Sequence, residues 1–377
     1  MKLDGLKVID LSMFLPGPVI SQMMADQGAQ VIRVEAPGGE PSRAFGPYDE
    51  SGQSIWFRNT HRGKNSIALD LKVDADRAVL HRLVAEADVF IEGFRAGVAA
   101  RLGMGYDELS AINPRLVYCS LSAFGQSGPL SSKGSHDMGA QACTGLLALN
   151  DSGDGVPVVP GLPGADMACA LTGLSGILMA LYRRETTGQG DYVDAAMYDA
   201  LMAWTAHLSG PTFATRTPPT TATHRSIGGS AFYNLYPTRD GRFIALTGRE
   251  LKFAKGLLTA LDRMDLYPLA EKEPGPDQQT LIGEMGAIFA ERDFADWCAF
   301  LQNVEVSWAP VLDMAEAFDH PHAHAREMLI DADGVELPGT PLKFRDEPGR
   351  PRTAAPDLDA QGTALRENGW AGFEDLG

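Results

Sequence analysis

Short apolar runs separated by a helical pattern open the chain. Residues 7–11 and 30–34 are apolar runs of strand length, and between them residues 18–28 carry apolar positions at helical spacing. A strand, a helix and a strand in close succession predict a β-α-β unit.

The same alternation continues beyond this unit. Further strands are predicted at residues 66–69, 89–91 and 116–121, with helices at residues 75–87 and 96–102. Strands that alternate with helices in this way are typical of a parallel, Rossmann-like sheet. The turn after the first strand, residues 12–18, lacks the GxGxxG motif, so NAD binding in the usual manner is not expected.

A long apolar helix pattern follows at residues 165–184, and a strand is predicted at residues 191–195. The Pro- and Thr-rich stretch 211–223 predicts a linker. Strand patterns at 232–236 and 243–246 then predict a hairpin that opens a smaller α+β unit ending near residue 311, and the tail from Pro348 is predicted to be extended.

Composition narrows the class of protein. The 377 residues are 44% hydrophobic and 21% charged, as in an ordinary globular protein, and the net charge is −17. This charge argues against nucleic acid and anionic membranes as partners. The apolar segment 165–181 is interrupted by Asp166, so we interpret it as a buried helix and not as a membrane span. Four scattered cysteines indicate reduced thiols in a cytoplasmic protein: Cys119, Cys143, Cys169 and Cys298.

Asp166 stands at the start of the long apolar helix, directly after Gly164 and Ala165. An aspartate in the first turn of a helix commonly caps free backbone N–H groups, which is a purely structural role. A carboxylate bordered by small residues is also accessible to a bulky ligand and can act as a nucleophile or as a base. The residues alone leave both interpretations open.

Other candidate residues carry weaker signals. His136 follows a glycine-containing loop, and its neighbour Asp137 does not make a dyad with it, because adjacent side chains point apart. Glu250 ends the second hairpin strand and is either a surface carboxylate or a helix cap. Gly228 and Gly229 form either a simple turn or a hinge for a lid that protects a reactive intermediate from water.

Three histidines, His320, His322 and His324, alternate near the end of the chain. A spacing of two places them on no common helix face, and Pro321 interrupts regular structure. No carboxylate or cysteine shares a recognisable spacing with them, so we predict no metal site.

Many short segments, in order along the chain up to about Met328, resemble the class III CoA-transferases and the related α-methylacyl-CoA racemases. They lie at residues 3–12, 16–18, 25–29, 31–35, 59–64, 66–72, 122–128, 164–184 and 187–190. The block at 164–190 is the most specific. The resemblance rests on the order of the segments, since no single one is sufficient.

The resemblance implies roles for particular residues. Asp166 matches the catalytic aspartate of the family, which forms mixed anhydrides and an aspartyl-CoA thioester. The CoA site is implied to contain Lys64, Phe94, Arg101, Asp137, Gly228 and Gly229. An arginine of the family is replaced by Ala36, and its usual Asn or Pro before Phe94 is Gly93.

The resemblance also implies an architecture and a set of partners. The domains are a large Rossmann-like CoA-binding domain at residues 1–205, completed by 330–377, a linker at 206–225, a small α+β domain at 226–312 and a return linker at 313–329. By the same resemblance, two subunits are expected to interlock as a homodimer. Acyl-CoA and a carboxylic acid acceptor are the expected substrates, with no permanently bound cofactor, metal, flavin or nicotinamide.

Residues of both branches of the family are present. His136 and Asp166 match positions that the racemases use for proton transfer at the α-carbon, and Glu250 matches a glutamate that orients that site. Residues 46–57, 141–142 and 144–145 resemble the transferases, and Leu15 replaces the early Gln of oxalate-specific transferases. The sequence favours a transferase, with a racemase as the alternative. A non-catalytic nucleotide-binding module, in which Asp166 is only a cap, is the third interpretation.

Overall fold

A six-stranded parallel sheet forms the centre of the fold. The computed structural model describes residues 1–151, 153–332, 334–351 and 354–374. The strands of this sheet are β1 (Lys7–Asp10), β2 (Gln30–Glu35), β3 (Asn65–Ala68), β4 (Val89–Glu92), β5 (Val117–Ser122) and β6 (Tyr192–Ala196). Their order is β3-β2-β1-β4-β5-β6, with every neighbouring pair parallel. The predicted parallel, Rossmann-like sheet is confirmed.

Eight helices accompany this sheet up to residue 204. They are α1 (Pro16–Asp26), α2 (Ile55–His61), α3 (Asp74–Val84), α4 (Val98–Arg101), α5 (Tyr106–Ile112), α6 (Asp137–Cys143), α7 (Gly164–Thr187) and α8 (Met197–Trp204). Residues 41–44 and 147–149 form short 3₁₀ turns. The apolar strand residues are almost completely buried, as expected for a parallel sheet that is covered by helices.

Helix α7 approaches the sheet closely because it carries small residues on its buried side. A Cβ atom at Gly173 would come within 3.1 Å of Leu121 in β5, and one at Gly176 within 2.7 Å of Val193 in β6. Since β5 and β6 are parallel, the connection between them runs back along the sheet. Helix α7 therefore begins at the edge where the strands end.

A second group of elements follows residue 205. It contains α9 (Ala206–Thr215), β7 (Tyr233–Pro237), β8 (Phe243–Thr247), α10 (Leu251–Ala260), α11 (Tyr267–Ala270), α12 (Gln279–Phe289), α13 (Phe294–Leu301), β9 (Trp308–Pro310) and α14 (Met314–Asp319). Residues 264–266 and 276–278 form 3₁₀ turns. Strands β7, β8 and β9 form an antiparallel sheet, so the predicted hairpin is confirmed. Its apolar side packs on the helices around Trp297.

Two segments expected to be irregular contain helices. Helix α9 covers residues 211–215 of the stretch 211–223 that the composition predicts to be a linker. Pro211 lies inside this helix, where it removes one backbone hydrogen bond. The tail is not simply extended, since it contains α16 (Gly362–Asn368) and a 3₁₀ turn at residues 369–372. Trp370 in that turn is buried and donates a hydrogen bond to the Leu83 carbonyl at 2.9 Å.

The chain divides into two compact units. The first comprises Met1–Thr144, Gly161–Trp204 and His320–Gly377, and the second comprises Gly145–Pro160 and Thr205–Asp319. The first unit also contains α15 (Pro321–Ala325) and a small antiparallel sheet of β10 (Leu329–Ala332) and β11 (Val335–Pro338). Residues 145–160, which the sequence assigns to the large domain, belong to the second unit.

Candidate active site

The start of helix α7 is capped by a residue from another helix. Asp137, in the first turn of α6, accepts hydrogen bonds from the backbone N–H groups of Ala165 at 2.6 Å and Asp166 at 3.1 Å. The N-cap residue itself, Pro163, offers no side-chain hydrogen bond. Asp137 therefore has the capping role that the sequence left open for Asp166, and the carboxylate of Asp166 is free for another role.

The carboxylate of Asp166 is partly buried without a compensating charge. Within the described part of the chain, it has neither a hydrogen bond nor an ion pair. Burial and the neighbouring negative charge of Asp137 raise the pKa of Asp166 to about 7. A carboxyl group of this kind exchanges protons near neutral pH and is a strong candidate for chemistry.

Asp166 faces a cleft of about 460 Å³ at the carboxyl ends of the strands. The cleft is lined by loops that follow β1, β4 and β5 and by the loop before α6: residues 12–14, 93–95, 121–123 and 133–136. Strands β1 and β4 are neighbours in the sheet but not in sequence. The chain continues from β1 to β2 on one side of this pair and from β4 to β5 on the other. Ligands of open parallel sheets bind at this topological switch point.

His136 lines the same cleft as Asp166. It is the exposed N-cap residue of α6, and its ring lies edge-on to the Phe14 ring, with 5.6 Å between the ring centroids. The structure thus brings together two of the three residues predicted to be catalytic. The third, Glu250, is the exposed N-cap residue of α10 in the second unit.

Phe94 also lines the cleft, and its backbone is held by a buried acid. Its N–H donates to Glu92 Oε2 at 2.6 Å, and Glu92 is only 2% exposed. Burial raises the pKa of Glu92 to about 7, although hydrogen bonds from Ser120 and Phe94 oppose the shift. Gln126 Nε2 in turn donates to the Ser120 hydroxyl at 2.8 Å.

A smaller depression of about 200 Å³ adjoins the cleft, with Met13 and Phe94 contributing to both. Lys72 lines this depression, and Arg95 and Lys133 line the cleft. Sequence analysis missed these three cations. The sequence does contain a signal for two of them. Lys72 and Arg95 closely follow the carboxyl ends of β3 and β4, where ligands of such sheets bind.

Lys64 is a correction to the sequence analysis, because it does not reach the cleft. Its side chain is fully buried, and Nζ donates to Asp10 Oδ2 at 3.2 Å and to the Pro18 carbonyl at 3.0 Å. Burial lowers the pKa of Lys64 to about 8, although Asp10 opposes the shift. Lys64 is thus a buried partner of Asp10, in a position that does not favour the predicted contact with CoA.

The remaining predicted residues lie outside the cleft. Arg101 is exposed at the end of α4. Gly228 has φ +117° and its carbonyl accepts a hydrogen bond from Asn234 Nδ2 at 2.8 Å. A Cβ atom at Gly229 would come within 2.8 Å of the backbone of Thr223, so this glycine is required by close packing. The two glycines thus form an anchored turn in the second unit.

The three histidines near residue 320 lie around a short helix. Pro321 begins α15 and does not interrupt it, since proline suits the first helical position. His320 caps this helix, with its Nδ1 accepting from the His322 N–H at 3.1 Å. In the residues that the structure describes, no group of three His, Cys, Asp or Glu side chains is arranged to hold a metal ion.

The chain is similar to known proteins both in sequence and in structure. The sequence model of CoA-transferase family III matches residues 3–362. The chain is 37% identical to acetyl-CoA:oxalate CoA-transferase of Acetobacter aceti, over 97% of this chain and 95% of that protein. It is 34% identical to α-methylacyl-CoA racemase of Homo sapiens, over 90% of this chain and 86% of that protein. A crystal structure of a CAIB/BAIF family protein from Brucella suis superposes with a TM-score of 0.84 at 32% identity, covering 97% of this chain and 98% of that one.

Proposed function

Because this chain belongs to CoA-transferase family III, we propose that its cleft transfers coenzyme A between two carboxylic acids and that Asp166 carries CoA between them. The observation that carries the proposal is the carboxylate of Asp166, which lines the cleft without a partner because Asp137 caps helix α7 in its place.

The transfer proceeds through exchange of acyl groups on Asp166. The carboxylate attacks the thioester carbonyl of the donor acyl-CoA, which gives a mixed anhydride and releases CoA thiolate. The thiolate attacks the aspartyl carbonyl, so that an aspartyl-CoA thioester forms and the donor carboxylate leaves. The acceptor carboxylate then repeats both steps in reverse, which yields the new acyl-CoA and regenerates Asp166.

The environment of Asp166 suits this chemistry. Partial burial limits access of water to the anhydride and thioester, which would otherwise be hydrolysed. The raised pKa also makes the ionised carboxylate more basic, and hence more nucleophilic, than an ordinary aspartate. Helix α7 presents its N-terminus at the same point, where its dipole favours the negative charge of a tetrahedral intermediate.

Binding of the CoA moiety is proposed for the cleft and the adjoining depression. Phe94 lies between them and offers an apolar surface, while Lys72, Arg95 and Lys133 offer cations for phosphate groups. Arg101 stays a predicted phosphate contact. CoA is a substrate in this proposal. Lys72, Arg95 and Lys133 take the role in CoA binding that the resemblance implied for Lys64.

A racemase is the second candidate, because His136 and Asp166 line one cleft. One of them would remove the α-proton beside the thioester, and the other would return a proton to the opposite face. The relatives favour the transferase, since the match to the oxalate CoA-transferase has the higher identity and covers more of both chains.

A trapping experiment tests the role of Asp166. The protein is incubated with an acyl-CoA and then with hydroxylamine, which cleaves an aspartyl thioester to a hydroxamate. We expect this modification on the peptide containing Asp166, and none in Asp166→Asn. Asp199→Asn is the matched control, because Asp199 lies in the first turn of α8 but does not line the cleft. Full transfer by Asp166→Asn would refute the proposal.

Isotope exchange separates the two reactions. A 2-methylacyl-CoA is incubated in deuterated water with and without acceptor carboxylates, and the products are weighed by mass spectrometry. A transferase gives new CoA esters only with an acceptor and no deuterium at the α-carbon, and it retains most of its activity in His136→Asn. Deuterium uptake without acceptor that His136→Asn abolishes would instead establish the racemase.

We also propose that the active protein is a homodimer in the cytoplasm. Helix α7 is long and apolar enough to span a membrane, but half of its most apolar window is buried in this fold. Its other side exposes a strip that contains the apolar residues Leu171, Leu178, Met179 and Tyr182. A second subunit would cover this strip, and the second unit of that subunit would bring Glu250, Gly228 and Gly229 to the site.

The proposed connections between domains remain residues 206–225 and 313–329.

Light scattering tests the dimer. We expect Tyr182→Glu to shift the protein towards the monomer, because the side chain is 82% exposed in the single chain and would be buried by the partner. Val73→Glu is the control, since it places the same charge at an exposed apolar position outside this strip. Equal masses for the two variants would contradict α7 as the interface.

A further inference from the structure

Phe14, in the turn between β1 and α1, has an unusual backbone conformation. Its φ is +66°, in the left-handed region that favours glycine. The other described non-glycine residues with positive φ are all polar: Arg216, Asp262, Glu327 and Asp359. A bulky residue persists in this conformation only where its surroundings enforce it, and such residues cluster at functional sites.

Glu40 is the group that holds Phe14. The backbone N–H of Phe14 donates to Glu40 Oε1 at 2.8 Å, and the Ser42 hydroxyl donates to the same oxygen at 2.8 Å. Arg33 Nη2 donates to Oε2 at 2.7 Å, and His61 Nε2 lies 2.9 Å from Oε2. Glu40 is only 4% exposed, so its carboxylate is fixed from every side.

The ring of Phe14 lies at the cleft, so the backbone conformation of Phe14 determines where the ring stands there. Phe14 lines the cleft together with His136 and Asp166. Its ring stands at 81° to the His136 ring, with 5.6 Å between centroids, and it stacks on Phe45 at 6.2 Å on the other side. A rotation of the Phe14 backbone towards an ordinary φ would therefore remove the surface on which His136 rests.

We propose that Glu40 is a positioning residue for the cleft: it holds the left-handed turn at Phe14 and thereby sets the Phe14 ring against His136. The effect on turnover rests on the proposed function, whereas the effect on His136 does not. Glu40 also lines the adjoining depression, but the proposed effect on His136 acts through Phe14.

The substitution Glu40→Gln is a sharp test because the Phe14 N–H and Arg33 donate to different oxygens of this carboxylate. An amide in its place must direct its NH₂ group either at the Phe14 N–H or at Arg33. The charge of Arg33 attracts the amide oxygen, so the NH₂ group faces Phe14 and the hydrogen bond to its N–H is lost.

Asp26→Asn is the matched control. Asp26 is another buried carboxylate of the first unit, 2% exposed and paired with Arg62 at 2.8 Å, but it does not contact the cleft. The Asp26→Asn variant shows how much of a change in the measured signals comes simply from the loss of a buried ion pair.

Two readouts that are independent of turnover decide the proposal. The first is the ¹³C–¹H signal of the His136 ring, assigned with His136→Asn, because a nearby aromatic ring shifts it. The second is hydrogen exchange of the Phe14 amide. In Glu40→Gln we expect the His136 signal to move as it does in Phe14→Leu, and the Phe14 amide to exchange at least about tenfold faster. Both readouts should be unchanged in Asp26→Asn.

Turnover supplies the third readout. The Phe14 ring is itself part of the cleft wall, so we expect Glu40→Gln to lower kcat as much as Phe14→Leu does, with little change in the KM for acyl-CoA. In a Phe14→Gly background, where the left-handed turn needs no support, Glu40→Gln should have no further effect.

The outcomes separate this proposal from the proposed function. An unmoved His136 signal and unchanged Phe14 exchange in Glu40→Gln would overturn the role of Glu40, whatever the activity. The expected spectra in a protein without transferase activity would support Glu40 and refute the function. If Glu40→Gln does not fold, Ser42→Ala replaces it: it must speed exchange of the Phe14 amide relative to Asp26→Asn, and equal exchange overturns the proposal.

Discussion

Two groups of buried acids lie near the cleft in opposite electrostatic situations. The paired cluster consists of Asp10, Arg33, Glu40, His61 and Lys64, in which each acid contacts at least one basic side chain. The unpaired carboxylates are Asp166 and Glu92, which have no ion pair in the described ranges of the chain.

The pKa values follow this difference. Burial alone would raise the pKa of Asp10, but Lys64, Arg33 and His61 hold it well below its ordinary value. Burial raises the pKa of Asp166 and of Glu92 to about 7, because no cation opposes it. The carboxylate of Asp10 therefore stays ionised, whereas the unpaired carboxylates change their charge near neutral pH. Rigid support and reactive groups thus occupy neighbouring but electrostatically distinct regions.

The largest effect is expected from the unpaired carboxylate in the cleft. Asp166→Asn should lower the rate of CoA transfer by roughly 10⁴-fold or more, because the nucleophile is removed. The measurement is the initial rate of formation of the new acyl-CoA. The unfolding free energy at pH 8 should be equal to or higher than that of the wild type, since an unpaired charge is removed from a partly buried position. A large loss of stability would instead assign Asp166 a structural role.

The second effect concerns stability and arises in the paired cluster. Lys64→Met removes one partner of the fully buried Asp10 and should lower the free energy of unfolding by about 3 kcal/mol or more. Denaturant titration measures this loss. Lys2→Met is the control: its ion pair with Glu347 is 42% and 52% exposed, so its loss should cost less than about 1 kcal/mol. Equal losses would mean that burial does not distinguish the pairs.

The sequence predicts the part of this arrangement that depends on local patterns. Apolar runs and helical spacing indicate the parallel sheet and the long helix that begins near Asp166. They do so because the buried positions of a strand or helix are apolar and recur at the spacing of that element. The aspartate can be singled out for the same reason, since it interrupts the start of an apolar helix.

The partners of each charge are not local and could not be predicted. The cap of α7 comes from Asp137, which precedes Ala165 by 28 positions, and Lys64 meets Asp10 across 54 positions. A lysine near a strand end has the same sequence pattern whether it lines an open depression, as Lys72 does, or meets a buried carboxylate. Only the packing of α1 and α2 around Asp10 decides between these two environments for Lys64.

The smallest effect is a pH dependence that should distinguish Glu92 from the paired cluster. The folded-state pKa of Glu92 is raised to about 7 by burial, above the value of about 4.3 for an unperturbed glutamate. The folded state therefore binds the proton more tightly than the unfolded state, and Glu92 lowers stability progressively as the pH rises from about 4 to about 7.

Glu92→Gln should remove this loss while one amide oxygen still accepts the Phe94 N–H. We expect the stability of the variant relative to the wild type to rise between pH 4 and pH 7, by on the order of 1–3 kcal/mol, and to stay level above pH 7. Denaturant titration across this range measures the difference, and Asp166 contributes equally to both proteins. Glu86→Gln, at an exposed pair with Lys7, should give a nearly flat difference. A flat difference for Glu92→Gln as well would mean that Glu92 is compensated like the acids of the paired cluster, and the contrast between the two regions would then rest on Asp166 alone.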